Sequence, residues 1–481
     1  MKRMMVIATV LLLALGLFAA TTVSASTEYD STINIRNMEN ETANVVIQFY
    51  NLAGDHMATA DVVLEIPAQS MAFYFVLLND DLPADFRGSA VVASDRELVI
   101  VHNLRINLGV QNASTRGFVA GSDVVRLPLL MRNNNNNTNW FSVQNAGTDT
   151  AVVEVDFFAG SIAGNDWKWV NPADQTHQVS IEPGAAYYFD LGQMPQLGEG
   201  FPGGRFIGAG RVTSVNGQPL VASAVQPGPQ GLFGWDGFAT TGSPEIVAPI
   251  FQYWNAGNVS SMNVQNGGTE ATEVTVTFRP GTHGTECQET RIIEPGAMEV
   301  FGLFAFNGPI AESNCWELNS ANGQGQTFIG SGLVSNNSTN QPLMGVVSQM
   351  NAVTTWSGSY NAFDMGAGSQ CVAAPLVYDR NSGYWSSLHI ANLGDSPVDV
   401  TISYSEWDGI QPPNDVFTNI PPGGMNFVMH WDHLGAGQRY IGSAVACGPD
   451  GASIVGVINL INTQITGQDT MGVYEMFTVA D

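Results

Sequence analysis

A fourfold internal repeat constrains this chain more than any other feature. An Asn recurs at Asn37, Asn145, Asn266 and Asn392, each closing a short apolar stretch. At 8, 10 and 12 residues past each Asn sits an alternating apolar triplet. The triplets are Val45/Ile47/Phe49, Val153/Val155/Phe157, Val274/Val276/Phe278 and Val400/Ile402/Tyr404. One such match is noise, whereas four in one register mark tandem modules. Alternation with a period of two is the pattern of a half-buried strand, so each module is a β unit.

Turn chemistry follows each triplet. Ile181–Gly184 and Ile293–Gly296 both read Ile-Glu-Pro-Gly, and the last module has Pro421-Pro422-Gly423. Pro presets φ and the following Gly accepts a positive φ, which is type II turn chemistry. The first module has Pro67-Ala68 and departs from this turn. Six residues past these prolines lie Phe73, Phe189, Phe301 and Val428 on a further strand. The next strand places an aromatic two residues before a Gly, at Phe86/Gly88, Phe206/Gly208, Phe328/Gly330 and Tyr440/Gly442. Gly inside a strand marks a bulge or a close backbone approach, and the aromatic covers the gap. Another apolar strand comes next, at 98–102, 220–225, 343–347 and 454–460. Aromatic, Gly-rich segments then close three modules, at 233–238, 356–363 and 474–477.

Prolines set the boundaries. Pro128, Pro249 and Pro375 each precede the next Asn by 17 residues, while their distance from the previous module varies. Each therefore belongs to the first strand of the following module, where a residue without an N–H donor is tolerated. The same spacing from Asn37 lands on Ala20, inside an N-terminal leader. That leader has Lys2 and Arg3, an apolar run from Val6 to Ala20 and the small-residue site Val23-Ser24-Ala25. This is the pattern of a secretory signal peptide. The expected organisation is a signal peptide over 1–25 and modules over 26–122, 123–243, 244–369 and 370–481. The first module lacks the opening strand unless Ser26–Asn34 supplies it, or a partner does so by strand addition. The fold class expected is all-β, with four antiparallel β-sandwiches of immunoglobulin-like size.

Bulk composition excludes several partners. The chain carries a net charge of −27, which becomes −29 without Lys2 and Arg3 and leaves Lys168 as the sole lysine. Such a chain repels nucleic acid and anionic membranes. With 44% hydrophobic and 12% charged residues it has material for several cores and is no disordered chain. After the leader, no apolar run approaches the roughly 18–20 residues of a membrane span. Four cysteines in a secreted chain read as disulfides. Three connectivities exist, and the module-local one is preferred. Cys371 lies in the first strand of module four with Cys447 past its Gly-Ser-Ala strand, and Cys287 and Cys315 both lie in module three.

Chemistry is sparse. No metal site, cofactor or catalytic residue is expected, because no Gly-x-Ser-x-Gly, His-Glu-x-x-His, phosphate-loop or calcium-loop pattern occurs. Among seven His, only His430 and His433 cluster, and they read as surface polar residues. Glu406 and Asp408 flank Trp407 with no facing partner across a cleft, as a glycosidase would require. The run Asn133–Asn137 is a polar loop. Aromatics at loop ends are the better lead: Trp140, Tyr253, Trp254, Tyr384 and Trp385. Such rings stack on sugars or anchor a protein, and the competing reading is packing at a module joint.

The Val-Gln-Asn, Ile-Glu-Pro-Gly and Phe-x-Gly-Ser-Ala runs resemble the immunoglobulin-like sandwich repeats of secreted bacterial surface proteins. The resemblance spans the mature chain and implies a non-catalytic part at or beyond the cell surface. A stalk, a surface-layer subunit or a fibre component all fit, with a protein or glycan partner or self-association. Four sandwiches in tandem are expected to form a rod. A carbohydrate-binding or adhesin role is the alternative, and an enzyme has the least support.

Overall fold

The computed structural model describes residues 29–479, except 107–110, 230, 240–241, 321–326, 338–339, 408, 431–438 and 466. The signal peptide read over 1–25 lies outside the described residues, as do His433 and Asp408. Strands hold 59% of the chain and helices 6%, so the protein is all-β with several antiparallel sheets.

The second repeat shows the plan. Its eight main strands are Val124–Arg132, Trp140–Asn145, Ala151–Ala163, Val179–Ile181, Ala186–Asp190, Phe206–Ser214, Leu220–Gly228 and Gly231–Asp236. Counted in that order, one sheet runs 4-3-6-1 and the other 5-2-7-8, all antiparallel. Strands two and five pair, and strands three and six pair, as in an immunoglobulin sandwich. The outer strands differ, because strand one joins strand six and strand seven joins strand two. The fourth repeat, from Cys371–Asp379 to Gly472–Glu475, has the same order. In the third, the opening hairpin links both layers into one nine-stranded sheet. In the first, strand two is Tyr29–Asn37 and strand six is Gly88–Ser94. Among the described residues, strand six of that sandwich pairs with strand three alone.

The recurring Asn holds each sandwich shut. Asn145 Nδ2 donates to the carbonyls of Asp149 and Ile181, both at 2.8 Å, and its Oδ1 accepts from Gly147 N at 2.8 Å. Asn266 does the same with Glu270, Ile293 and Gly268. Asn392 uses Ser396, Ile420 and Gly394, and Asn37 uses Glu41, Ile66 and Glu39. All four side chains are at most 1% exposed. Each amide thus ties the end of strand two to the next turn and to the end of strand four. The alternating triplets lie inside, with Val153, Val155, Val274, Val276, Val400 and Ile402 fully buried. At Gly208 an added Cβ would run into the Phe158 carbonyl and the Phe206 ring, and at Gly88 into the Tyr50 carbonyl and the Phe86 ring. Close approach and aromatic cover therefore account for the Gly strand.

Both disulfides are present, Cys287–Cys315 and Cys371–Cys447. The second joins directly paired residues of strands one and six.

The four sandwiches do not form a rod. Their eighth strands, Gln111–Arg116, Gly231–Asp236, Ser357–Asn361 and Gly472–Glu475, meet around one axis. Each touches the next, and the fourth touches the first. Apolar clusters cross every joint. Val225 and Leu232 pack with Ile106 and Ala113; Met298, Val300 and Val346 join the second core. Trp385 and Val473 join the third core, and Val99 and Val101 of the first sandwich join the fourth. The expected end-to-end array is corrected to a closed ring, because the joining surfaces lie on the sides of the sandwiches rather than at their tips.

Joint contacts repeat as well. The turn after strand four of one sandwich packs on strands three and six of the preceding one. Gly184 sits against the Tyr50 ring, and Ser89 Oγ donates to its carbonyl. Gly296 sits against Phe158, and Gly423 against Arg279 and Leu333, with Ser331 Oγ donating to the Gly423 carbonyl at 2.6 Å. These glycines have φ of +77°, +77° and +68°, so the turn residue serves both the hairpin and the joint.

Candidate functional site

The ring axis gathers the most unusual polar residues of the molecule. Along each eighth strand alternate residues face the core or the axis. Trp235, Tyr360 and Tyr474 face the cores and are at most 1% exposed. The residue after each of these rings lies at one level of the axis: Asp236, Asn361 and Glu475, with Arg116 in the first sandwich. Asp236 Oδ2 accepts from Arg116 N at 2.9 Å, across the first joint. Glu475 Oε1 accepts from Asn361 N, across the third joint. Asn361 Nδ2 donates to the Asp236 carbonyl at 2.9 Å, across the second. The Arg116 guanidinium lies 4.4 Å from the centre of the Phe477 ring, across the fourth. One residue from each copy thus closes one joint.

A second acid lies further along the axis. Asp469 accepts from Leu232 N at 2.7 Å, from Ser357 N at 2.7 Å and from Ser357 Oγ at 2.6 Å. It therefore ties three sandwiches together while only 2% exposed.

These carboxyls are out of water. Burial pushes Asp469 up to about 7. Asp236 and Glu475 are both raised, by burial first. The Glu475 charge raises Asp236 further, while Arg116 pulls both back. Burial and the mutual repulsion of the two charges favour the protonated form of this pair, because both charges together are too costly in a dry site. The groups around them are Arg116 from the first sandwich, Ser223 from the second and Asn361 from the third. The arrangement binds backbone N–H groups and closes joints. Among the described residues, no group of three His, Cys, Asp or Glu forms a metal site.

The five rings singled out from sequence do not share a surface. Trp140 is half-buried at the first joint, edge-on to Tyr29 at 5.8 Å and against Tyr188 at 5.6 Å. Tyr253 is 3% exposed, stacked on Phe306 and bonded through its hydroxyl to Asn307. Tyr384 packs on Tyr378, and Trp385 lies at the third joint against Trp356. Trp254 is 49% exposed at the end of the third sandwich's opening strand, Glu245–Asn255. The reading of His430 as a surface residue is corrected. It is 1% exposed with Nε2 2.7 Å from the Tyr404 hydroxyl, because the residue directly follows strand five, Met425–Met429, and is turned inward. Glu406 is exposed and Trp407 half-buried.

Other buried titratable groups are structural. His102 is pushed down to about 4 and His389 to about 3, both by burial. His102 bonds Ser31 Oγ, and His389 bonds Ser387 Oγ and stacks on Phe427. Glu289 accepts from Gly302 N and pairs with Arg291. No helix among the described residues is long and apolar enough to cross a membrane.

No protein-family model matches the chain, and no curated protein matches it. One solved structure is described as the crystal structure of a tetra-tandem repeat in the extending region of a large adhesion protein. It aligns over 92% of this chain and 93% of that chain, at 9% identity and a TM-score of 0.10. A likeness that weak carries no argument about fold or role.

Proposed function

We propose that the protein is a non-catalytic extracellular structural or adhesive block of a bacterial surface, a rigid four-lobed unit rather than a stalk. The closed ring carries this reading. Its conspicuous polar residues are spent on holding sandwiches and joints, as the Asn ties, Asp469 and the Asp236–Glu475 pair illustrate. Two disulfides suit an oxidising compartment. Electron microscopy of the secreted protein is the test. Compact four-lobed particles, alone or packed into a lattice or fibre, are expected. Extended filaments of separate beads would overturn the reading.

One observation favours a carbohydrate-binding alternative, the exposure of Trp254. On that reading Trp254→Ala abolishes glycan binding on an array without changing the melting temperature. Trp385→Ala, by contrast, lowers the melting temperature, because Trp385 is buried at a joint. An array on which the unmodified protein binds nothing sinks the alternative.

A further inference from the structure

Three sandwiches carry an opening strand against strand six, and the first has none among the described residues. The three filled copies show what the position demands. In the second sandwich, Val124–Arg132 runs antiparallel to strand six, with Leu130 opposite Gly208, Leu127 opposite Gly210 and Val125 opposite Val212. Val125, Leu127, Leu129 and Leu130 point into the core and are at most 1% exposed. The outer edge of the strand is capped by Phe238, which pairs with Arg126. Its back rests on strands two and seven of the following sandwich, Asn258–Asn266 and Leu343–Asn351.

The first sandwich keeps every wall of this position. No residue of Gly88–Ser94 is buried, whereas Gly208, Gly210 and Val212 all are. Val92 and Ile100 of its core stay partly open. Phe118, the counterpart of Phe238, is 36% exposed and Val119 is 97% exposed. The second sandwich is already docked alongside, through Tyr188 donating to the Gly88 carbonyl at 3.0 Å. The result is a groove with a strand edge unpaired among the described residues, an apolar flank and a neighbouring sandwich as its back.

We propose that this groove accepts an extended strand from a second polypeptide, antiparallel to Gly88–Ser94. The partner presents uncharged, branched apolar side chains at the positions of Val125, Leu127 and Leu130, opposite Val92, Ala90 and Gly88. Main-chain hydrogen bonds supply affinity and the alternate side chains supply specificity, the mode of β-strand addition. The idea deepens the structural reading by giving the block a join to its surroundings. It stands or falls apart from that reading, since the compactness of the ring does not involve the groove. The other candidate occupant is the chain's own segment ahead of Tyr29. By the spacing of the third sandwich that segment is 16–26, which overlaps the leader.

The secreted protein, its N-terminus established by sequencing, provides the test. A labelled peptide with the sequence of Val124–Arg132 is titrated in, and exchange is followed at the groove-facing amides of Gly88–Ser94, those not bonded to Ala43–Asn51. Saturable binding and exchange slowed about tenfold or more are expected, because an unpaired strand edge exchanges freely. A shuffled peptide should do neither. In a second chain, Glu245–Gly257 is grafted directly ahead of Tyr29, so that the groove is filled from within. That chain should melt higher and no longer bind the peptide. Failure of the peptide to bind, with exchange unchanged, would overturn the proposal. So would groove-facing amides already protected in the free secreted protein, which would assign the groove to the chain's own N-terminal segment.

Discussion

Each repeated Asn replaces three backbone hydrogen bonds that the chain needs where strands two and four end. At Asn145, removing the amide takes one bond from the buried Ile181 carbonyl and one each from the part-buried Asp149 carbonyl and Gly147 N–H. A buried unsatisfied group costs about 1–3 kcal/mol, so Asn145→Ala should destabilise by about 2–4 kcal/mol. Asn145→Asp should be worse than Ala. It loses both donor bonds and sets a negative charge against the Asp149 and Ile181 carbonyls. Urea unfolding of the three proteins side by side checks the order. Equal midpoints for Asn and Asp would show that the amide donors contribute nothing. The repeat spacing revealed where this residue sits but not what it does. Its partners are main-chain carbonyls, such as that of Ile181, 36 residues away, and no side-chain pattern marks them.

At the scale of the strand, the eighth strands show what a repeat search misses. Sequence located the segments 233–238, 356–363 and 474–477 through their aromatics and glycines, and passed over Gln111–Arg116, which has none. The residues that close the axis are Arg116, Asp236, Asn361 and Glu475, a different type in every copy. Complementary residues at equivalent positions share no identity, so the pattern that identified the sandwiches hid their joints. Strand order within a sandwich was equally hidden, because alternation reports a buried face and not a neighbour. The acids at the axis make stability depend on pH. A carboxyl raised by folding stabilises fully below its unfolded value, near 3.8 for Asp236 and Asp469, and loses this as pH rises through the folded value. The lowered His102 and His389 act oppositely, costing stability as pH falls from 6.5 toward about 4 and about 3. The two effects oppose each other below 6.5, and above it only the carboxyls act. Melting temperature should therefore fall between pH 6.5 and about 8, with each retained proton worth about 1.4 kcal/mol per pH unit until pH passes its folded value, about 7 for Asp469 and about 8 for Asp236. Asp236→Asn keeps an acceptor for Arg116 N and removes the proton. Calorimetry across that range should show a flatter decline for the variant. An unchanged slope would place the titration elsewhere.

For the whole molecule, the repeat predicted four copies correctly but the rod expected of them wrongly, since tandem copies can stack into a line or close on themselves. Closure was illegible because it depends on side surfaces, such as Val99 and Val101 entering the fourth core, which look like ordinary strand residues in the sequence. The two arrangements differ sharply in size. A compact chain of this length has a radius of gyration of about 22 Å. Four sandwiches in line, each about 30 Å long at nine residues per strand, would give about 35 Å. Small-angle scattering on the secreted protein should report the smaller value. Closure also predicts how the molecule responds to a cut. Between Phe238 and Ser243 the chain passes from the second sandwich to the third. In a rod, a protease site placed there leaves the halves held by one joint. In the ring they share two: Met298, Val300 and Val346 in the second core, and Val99 and Val101 in the fourth. Opening one joint does not release the halves, because the other holds the first at high effective concentration. The nicked protein should elute as one particle with an unchanged radius of gyration, even after long dilution. Separation into two fragments on dilution would mean that the fourth joint does not close in solution.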